Sequence, residues 1–215
     1  MVKKRDLSLQ KIIESSISLI NESGLEAFTM RKLAAKLEVQ ASAVYWHVKN
    51  KEELLQLLSI HISRKITYPD ETLDWKSKLI HLSEQSREAM SSIRSGPEIM
   101  MQTIPSDPYR LALIEYMIKI LVKEGFTPLK SLEISNLINN YTILFTMDEF
   151  TRIEQQNNPA AHKHIQEFLS KLPEKYPYFY QAVKEEAENP RQNEVFFTSL
   201  MAILDMRGQR VANYF

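Results

Sequence analysis

Side chains that can bind DNA are concentrated between residues 29 and 51. Residues 30–37 have the apolar spacing of a short helix, and after a turn at Glu38-Val39-Gln40 a second short helix is predicted to run to about His47. This layout is typical of a helix-turn-helix, whose second helix enters the major groove of DNA. Arg31 can pair with guanine or hold a phosphate, and Tyr45, His47 and Lys51 can donate to phosphate oxygens.

Helices on either side would complete a small DNA-binding domain. The apolar residues of 9–22 recur mostly at helical spacing, and Gly24 follows as a stop signal. Thr29 is a suitable N-cap for the second helix. Asn50 with Glu53 resembles a capping box and opens a fourth helix that runs to about Ile66.

Pro69 breaks this pattern and predicts a boundary between two domains, 1–66 and 67–215. The remainder is helical in pattern almost throughout, and no strand-like alternation of any length competes with it. We therefore predict an all-α fold, with a three-helix helix-turn-helix domain followed by a larger helical domain. Its helices are expected at about 73–93, 107–124, 128–155, 163–171, 178–188 and 191–207, separated by segments containing proline or glycine.

Charge is unevenly distributed, although the net charge of the 215 residues is zero. Residues 1–65 hold 11 Lys and Arg against 7 Asp and Glu, or +4, and residues 66–215 hold 16 against 20, or −4. The positive excess lies with the predicted DNA-binding part, as attraction to phosphates requires. The chain has no cysteine, no signal-peptide pattern and no run of the ~18 apolar residues that a membrane span needs, so we expect a cytoplasmic protein without a membrane partner.

The sequence resembles the tetracycline-repressor (TetR) family of bacterial transcriptional regulators. The resemblance rests on residues 19–24, Arg31-Lys32-Leu33-Ala34 and the run Val44-Tyr-Trp-His-Val-Lys-Asn-Lys51, and it is fainter through Trp75, Arg94-x-Gly96, Thr103, Pro105 and 124–126. It implies a ligand-responsive regulator, most simply a repressor. The family's DNA-contacting positions fall on Thr29, Arg31, Gln40, Ala41, Ser42, Ala43, Tyr45, His47 and Lys51, whereas we assign Trp46 to packing between helices.

One departure from the tetracycline repressors lies in the recognition helix. They have Gln-Pro-Thr where this chain has Ala41-Ser42-Ala43. Two side chains that can hydrogen-bond with bases are thus replaced by methyl groups, which can contact only a thymine methyl. We therefore expect a different operator sequence.

A second departure concerns the small-molecule effector. By the resemblance, the histidine that holds a magnesium–drug chelate in tetracycline repressors falls at Met100, and a thioether is a poor ligand for a hard cation. Magnesium–tetracycline is therefore not the expected inducer. The expected effector-binding residues are Leu82, Ser86, Met100, Thr103, Met117, Asn140 and Met147, which would form a mixed apolar and polar pocket. The alternative is that the methionines are ordinary core residues of a helical bundle.

No metal, cofactor or catalytic site is predicted. His162 and His164 form a His-x-His pair, but no carboxylate stands at a convincing ligand spacing. No phosphate-binding loop, zinc-protease motif or catalytic triad occurs. Two alternatives remain beside the ligand-responsive regulator: a helix-turn-helix protein without small-molecule control, and an all-α enzyme.

A homodimer is expected, because a single helix-turn-helix reads only a few base pairs and such proteins pair on palindromic operators. Two segments, about 128–155 and 191–207, are more apolar than the surface helices of a monomer require. The resemblance implies that they form a four-helix bundle across the two-fold axis. Helix four would then transmit a tilt from the effector site to the DNA-binding helices.

Overall fold

The computed structural model describes residues 7–188 and 192–205, and within them the protein forms only helices. The predicted all-α fold is confirmed. The twelve helices in these residues are α1 (Leu9–Ser23), α2 (Met30–Lys36), α3 (Ala41–Tyr45), α4 (Lys51–Ser63), α5 (Trp75–Ser91), α6 (Gly96–Met101), α7 (Pro108–Lys123), α8 (Pro128–Gln156), α9 (Pro159–Ser170), α10 (Leu172–Lys175), α11 (Pro177–Glu188) and α12 (Gln192–Asp205). No helix in the described residues is long and apolar enough to cross a membrane.

Side-chain caps start α2 and α4, as the sequence predicts. The Thr29 hydroxyl accepts a hydrogen bond from the Lys32 N–H at 3.2 Å and starts α2. Asn50 starts α4 by accepting from the Glu53 N–H at 2.8 Å. The Glu53 carboxylate accepts in return from the N–H of Lys49, one residue before the usual partner in a capping box.

A single apolar core joins α1–α4 to the helices that follow Pro69. Its buried members come from α1–α4, from α5 and α6, and from α8. In α4, Leu54, Leu55, Leu58 and Ile62 are all buried, so this helix carries core residues along its whole length. The predicted boundary between 1–66 and 67–215 therefore does not coincide with a break in the apolar core, and its functional meaning stays a prediction.

Proline begins helices in this chain more often than the sequence pattern suggested. The pair Gly96-Pro97 was expected to lie between helices, but it opens α6, and α7, α8, α9 and α11 each start at a proline. Proline suits the first helical turn, because the N–H that it lacks would have no acceptor within the helix at that position. The chain does break between α5 and α6, but at residues 92–95, and Gly96-Pro97 begins α6, a helix that the sequence analysis missed.

The described residues divide into two compact units, between Met147 and Asp148. In the second unit, Arg152 pairs with Glu186 at 2.7 Å, and Phe196, Leu200 and Leu204 of α12 are buried. Residues 206 and 207, which were predicted to end the last helix, lie outside the described residues, as do the side chains of His162 and His164.

Two glycine substitutions are expected to differ in their effect on stability. A Cβ at Gly96 would overlap the carbonyl oxygen of Met90. A Cβ at Gly125 would meet open space, but an alanine there would have to adopt a φ of +91°, which is strained for a residue with a side chain. Gly96→Ala should therefore lower the free energy of unfolding by about 3 kcal/mol, and Gly125→Ala by about 1 kcal/mol. Urea unfolding measures both, and equal losses would contradict the close contact at Gly96.

Candidate nucleic-acid interface and effector site

The helix-turn-helix is built on a small buried apolar set. Leu33 of α2 and Val44 of α3 are fully buried, and Leu37 in the intervening turn is nearly so. The turn passes through Glu38, whose φ of 56° lies in the left-handed region and lets the chain reverse between the two helices. Because α2 and α3 bury these side chains against each other, their polar residues lie on the outside.

The predicted DNA-contacting residues share this outer surface. Arg31, Gln40, Ser42, Tyr45 and His47 are exposed, and Ala41 and Ala43 are partly buried beside them. Thr29 is exposed as well, and its hydroxyl accepts the Lys32 N–H while keeping its own proton for donation. Guanidinium, amide, hydroxyl and imidazole donors are thus exposed on α2, on α3 and on the residues that flank α3.

Trp46 does not pack between helices, and that prediction was wrong. Its side chain is 88% exposed, while Val48, two residues later, is fully buried and fills the apolar position instead. The helical residues of α3 end at Tyr45, so the chain turns at Trp46 and leaves the indole on the surface beside Tyr45 and His47. A large exposed aromatic next to hydrogen-bond donors is typical of a surface that contacts another molecule.

Lys51 ties α4 to the loop between α1 and α2. Its Nζ donates to the carbonyl oxygens of Leu25 and Phe28, each at 3.4 Å, and lies 5.7 Å from the centre of the Phe28 ring. An ammonium group has three donors, so one remains for a phosphate oxygen. Lys51 therefore has a structural role in addition to the predicted one.

Five of the seven predicted effector residues lie on α5, on α8 and at the end of α6. Met100 and Thr103 lie together at the end of α6, where the Thr103 hydroxyl donates to the carbonyl oxygen of Ile99 at 2.8 Å and contacts that of Met100 at 3.3 Å. Met147 of α8 packs against the same apolar core that contains Met100. Leu82 and Ser86 share one face of α5, joined by a hydrogen bond from the Ser86 hydroxyl to the Leu82 carbonyl.

The remaining two effector residues differ in burial. Met117 on α7 is buried. Asn140 is exposed, and it lies about 200° around α8 from the buried residues Ile138 and Thr142. The structure does not bring Asn140 to Met100 and Thr103.

Two buried charged residues were not predicted from the sequence: Arg110, which contacts Thr103, and Asp107, which caps α7. The Arg110 guanidinium, 8% exposed, donates to the Thr103 hydroxyl at 2.9 Å, to the Thr103 carbonyl at 3.3 Å and to the Met100 carbonyl at 3.5 Å. Burial lowers the pKa of Arg110, and the charge of Asp107 opposes this shift. The pair Asp107-Pro108 does carry an N-cap signal, but spacing alone gives no sign that Arg110 turns inward.

Four contacts connect residues 94–95 and 104–109 to the DNA-binding part of the chain. Gln56 of α4 donates to the carbonyl oxygen of Ile104 at 2.8 Å, directly after Thr103. The Arg64 guanidinium, at the end of α4, lies 4.9 Å from the ring centre of Tyr109. At the other end of the DNA-binding part, the backbone N–H of Arg94 donates to Asn21 Oδ1 at 2.9 Å, and that of Leu25 donates to Ser95 Oγ at 3.3 Å.

Among the described residues, no group of three or more His, Cys, Asp or Glu side chains is arranged to hold a metal ion. The groups that the structure does gather are donors on the outside of α2 and α3, and a polar cluster with methionines at the end of α6. The first arrangement suits phosphate and base edges, and the second suits a small organic molecule.

Two family models match the chain. The model described as "Bacterial regulatory proteins, tetR family" matches residues 12–58, and "Tetracyclin repressor-like, C-terminal domain" matches residues 68–206. Tetracycline repressor protein class G of Vibrio anguillarum is 33% identical over 135 residues, which cover 61% of this chain and 64% of that protein. The match thus spans slightly less than two thirds of the relative's length.

Solved structures agree in fold. A TetR variant from Acinetobacter baumannii AYE in complex with minocycline is 25% identical, with a TM-score of 0.69 over 92% of this chain and 94% of that chain. BioQ with its natural double-stranded DNA operator is 25% identical, with a TM-score of 0.60 over 68% of this chain and 89% of that chain. The curated relatives are named as tetracycline repressors or as transcriptional regulators or repressors. With both halves matched by its models, this chain belongs to the TetR family of bacterial transcriptional regulators.

Proposed function

We propose that this protein is a ligand-responsive repressor that binds a palindromic operator as a homodimer and is released by a small organic effector. In this proposal residues 1–66 read DNA, and residues 67–215 bind the effector and form the dimer. The observation that carries it is the position of α4. This helix begins beside the exposed DNA-reading surface, and its apolar residues share one core with Met100.

Direct reading of bases is assigned to the exposed residues around the start of α3. Gln40 and Ser42 offer an amide and a hydroxyl, and Arg31 offers a guanidinium that matches the two acceptors of guanine. Ala41 and Ala43 contribute no donors. The operator is therefore expected to differ from those read by Gln-Pro-Thr repressors.

The effector is assigned to the end of α6, around Met100 and Thr103. Met100 on α6, Met117 on α7 and Met147 on α8 supply flexible apolar side chains. Thr103 and Arg110, which are hydrogen-bonded to each other, supply the polar groups. The thioethers and the guanidinium of this set do not bind magnesium, and its one hydroxyl, that of Thr103, is already bonded to the Ile99 carbonyl and to Arg110. The effector is thus expected to bind without a metal.

Release from DNA follows from the contacts between the effector site and α4. Gln56 holds the Ile104 carbonyl and Arg64 stacks on Tyr109, so a ligand that displaces the segment 103–109 must move α4 or break both contacts. A movement of α4 changes the spacing of the two recognition helices in a dimer. Such coupling is typically worth ~1–3 kcal/mol, or 5- to 150-fold in DNA affinity.

Dimer formation is assigned to exposed apolar faces of α8 and α12. Leu129, Leu132, Leu137 and Leu144 of α8 are 38–68% exposed, and Val195 and Met201 of α12 are 46% and 36% exposed. Rows of exposed leucines on one long helix are unusual on a monomer surface and are typical of an interface. Half-sites about 34–36 Å apart on the operator would match the two-fold axis.

Operator selection from random duplex DNA, followed by displacement of the selected duplex with a compound panel, tests the proposal as a whole. A palindromic consensus and release by at least one metal-free organic compound are expected. Selection of a palindrome with no compound able to release it would leave a DNA-binding protein without small-molecule control and would refute the effector part.

Arg31→Ala should remove discrimination between the selected operator and random duplex. A good bidentate contact to a base contributes about 1–3 kcal/mol of discrimination, so we expect a 10- to 100-fold loss on the operator and a much smaller loss on random DNA. Lys36→Ala is the matched control, since it removes the same charge from the same helix at a residue that pairs with Glu22 at 2.6 Å. Equal losses on both duplexes would assign Arg31 to phosphate contact instead.

Magnesium should not strengthen the binding of minocycline to this protein. Met100 stands where the resemblance places the metal-binding histidine, and its side chain offers no oxygen or nitrogen donor. Calorimetric titration with magnesium and with a chelator should give the same affinity, or no binding in either case. A tenfold or larger gain with magnesium would contradict the assignment of this site.

A charge on the exposed face of α8 should dissociate the dimer. Leu144 is 54% exposed, and Leu144→Glu would place a carboxylate in the proposed interface, where desolvation costs several kcal/mol. Leu111, 51% exposed on α7, provides the control Leu111→Glu outside that interface. Sedimentation velocity at micromolar concentration should find a dimer for the unmodified protein and the control, and a monomer for Leu144→Glu.

A further inference from the structure

Arg110 is a buried cation that no carboxylate of the described residues approaches within 4.0 Å. The residue is 8% exposed, and its guanidinium donates to neutral oxygens, those of the Thr103 hydroxyl and of the Thr103 and Met100 carbonyls. It also lies in the first turn of α7, where the helix dipole disfavours a positive charge. A buried charge in such a place is costly unless a further partner stabilises it.

Asp107 is a complementary group with an unused atom. It is 5% exposed, and its Oδ1 accepts the backbone N–H groups of Tyr109 and Arg110, each at 3.0 Å, as the N-cap of α7. Its Oδ2 is buried and has no hydrogen-bond partner. An unpaired buried carboxylate oxygen costs more than an ordinary lost hydrogen bond, so this atom needs a donor.

Asp107 and Arg110 lie at the same end of α7, where Asp107 Oδ1 accepts the Arg110 N–H at 3.0 Å, yet their side chains form no ion pair. Burial lowers the pKa of Arg110, and the charge of Asp107 raises it by a smaller amount. Asp107 Oδ2 therefore lacks a donor at the end of α7 from which the Arg110 guanidinium reaches the Thr103 and Met100 oxygens of the proposed effector site. A planar group that carries a donor and an acceptor would give Asp107 Oδ2 a partner and Arg110 a further acceptor, each by one hydrogen bond of about 2.9 Å.

We propose that this site recognises a carboxamide on an apolar effector, with the amide oxygen accepting from Arg110 and the amide N–H donating to Asp107 Oδ2. The apolar body of the ligand would pack on Met100. This inference rests on the proposed effector function and specifies its ligand class. A carboxylate in the same position would face Asp107 with a second negative charge and no donor, so carboxylic acids are excluded from the unmodified site.

Three naphthalene probes of the same shape test this assignment by calorimetry on the full chain. The probes are 2-naphthamide, 2-naphthoate and N,N-dimethyl-2-naphthamide, which keeps the carbonyl and lacks the N–H. The unmodified protein should bind 2-naphthamide at least about tenfold more tightly than either of the others, the effect of one hydrogen bond to a charged group.

Asp107→Asn should reverse this preference. The substitution keeps an oxygen to cap α7, since asparagine is as good an N-cap as aspartate, but it replaces the free acceptor by a donor and removes the negative charge. We expect about tenfold weaker binding of 2-naphthamide and a gain of 2-naphthoate binding. Asp74→Asn is the matched control, because Asp74 caps α5 by the same contacts on the surface, and it should leave the binding of all three probes unchanged.

Several outcomes would overturn the inference: no saturable binding of 2-naphthamide at millimolar concentration, naphthoate bound as tightly as the amide, or a preference unchanged by Asp107→Asn. The proposed function is separated from it by the operator-release assay. Release by compounds that have no amide, with no binding of 2-naphthamide, would leave ligand control intact and refute the carboxamide. Binding of the probes as described, with no compound able to release the operator, would leave the site intact and refute its regulatory role.

Discussion

The burial of α4 in one continuous apolar core is the constraint on which the rest of the structure depends. Leu54, Leu58 and Ile62 are fully buried, and each such side chain contributes about 1.5–3 kcal/mol by leaving water. The same core contains Val44 of the recognition helix and Met100 of α6. Because packed interiors respond to displacement as solids do, a shift at Met100 is felt by the residues that support α3.

Hydrogen bonds turn this shared core into a defined geometry. Apolar contacts alone allow helices to slide by small amounts, since the hydrophobic effect has no direction. The bond from Gln56 to Ile104 and the bond from the Arg94 N–H to Asn21 hold two separate points of the DNA-binding part, one on α4 and one at the end of α1. A rotation of the DNA-binding part about one of these points therefore strains the hydrogen bond at the other.

The sequence was most informative where local chemistry decides the structure. Thr29 and Asn50 cap helices because their side chains reach backbone N–H groups three residues on, which needs no tertiary information. Trp46 and α6 were misjudged because tertiary packing decides them. Val48 occupies the buried position that Trp46 was expected to fill. The six residues of α6 are too few to show a helical apolar pattern, so the sequence does not indicate this helix. Met100 and Thr103 could be proposed from the resemblance, whereas the inward course of Arg110 depends on a fold that brings α7 back to the end of α6.

The placement of Arg110 and Asp107 would also explain how the proposed effector site and a stable core can coexist in α6 and α7. A site lined only by Met100 and its apolar neighbours would favour collapse onto itself, because an empty apolar cavity costs free energy in proportion to its volume. Buried polar groups with unused hydrogen-bonding capacity have the opposite tendency, since Asp107 Oδ2 cannot gain a partner by closer apolar packing. The unfavourable free energy of leaving Asp107 Oδ2 and Arg110 incompletely paired is offset by the burial of the apolar core around α4. A ligand that pairs these two groups would remove that unfavourable term and so bind more tightly. Affinity for the effector and strain on the segment that contacts α4 then have the same physical origin.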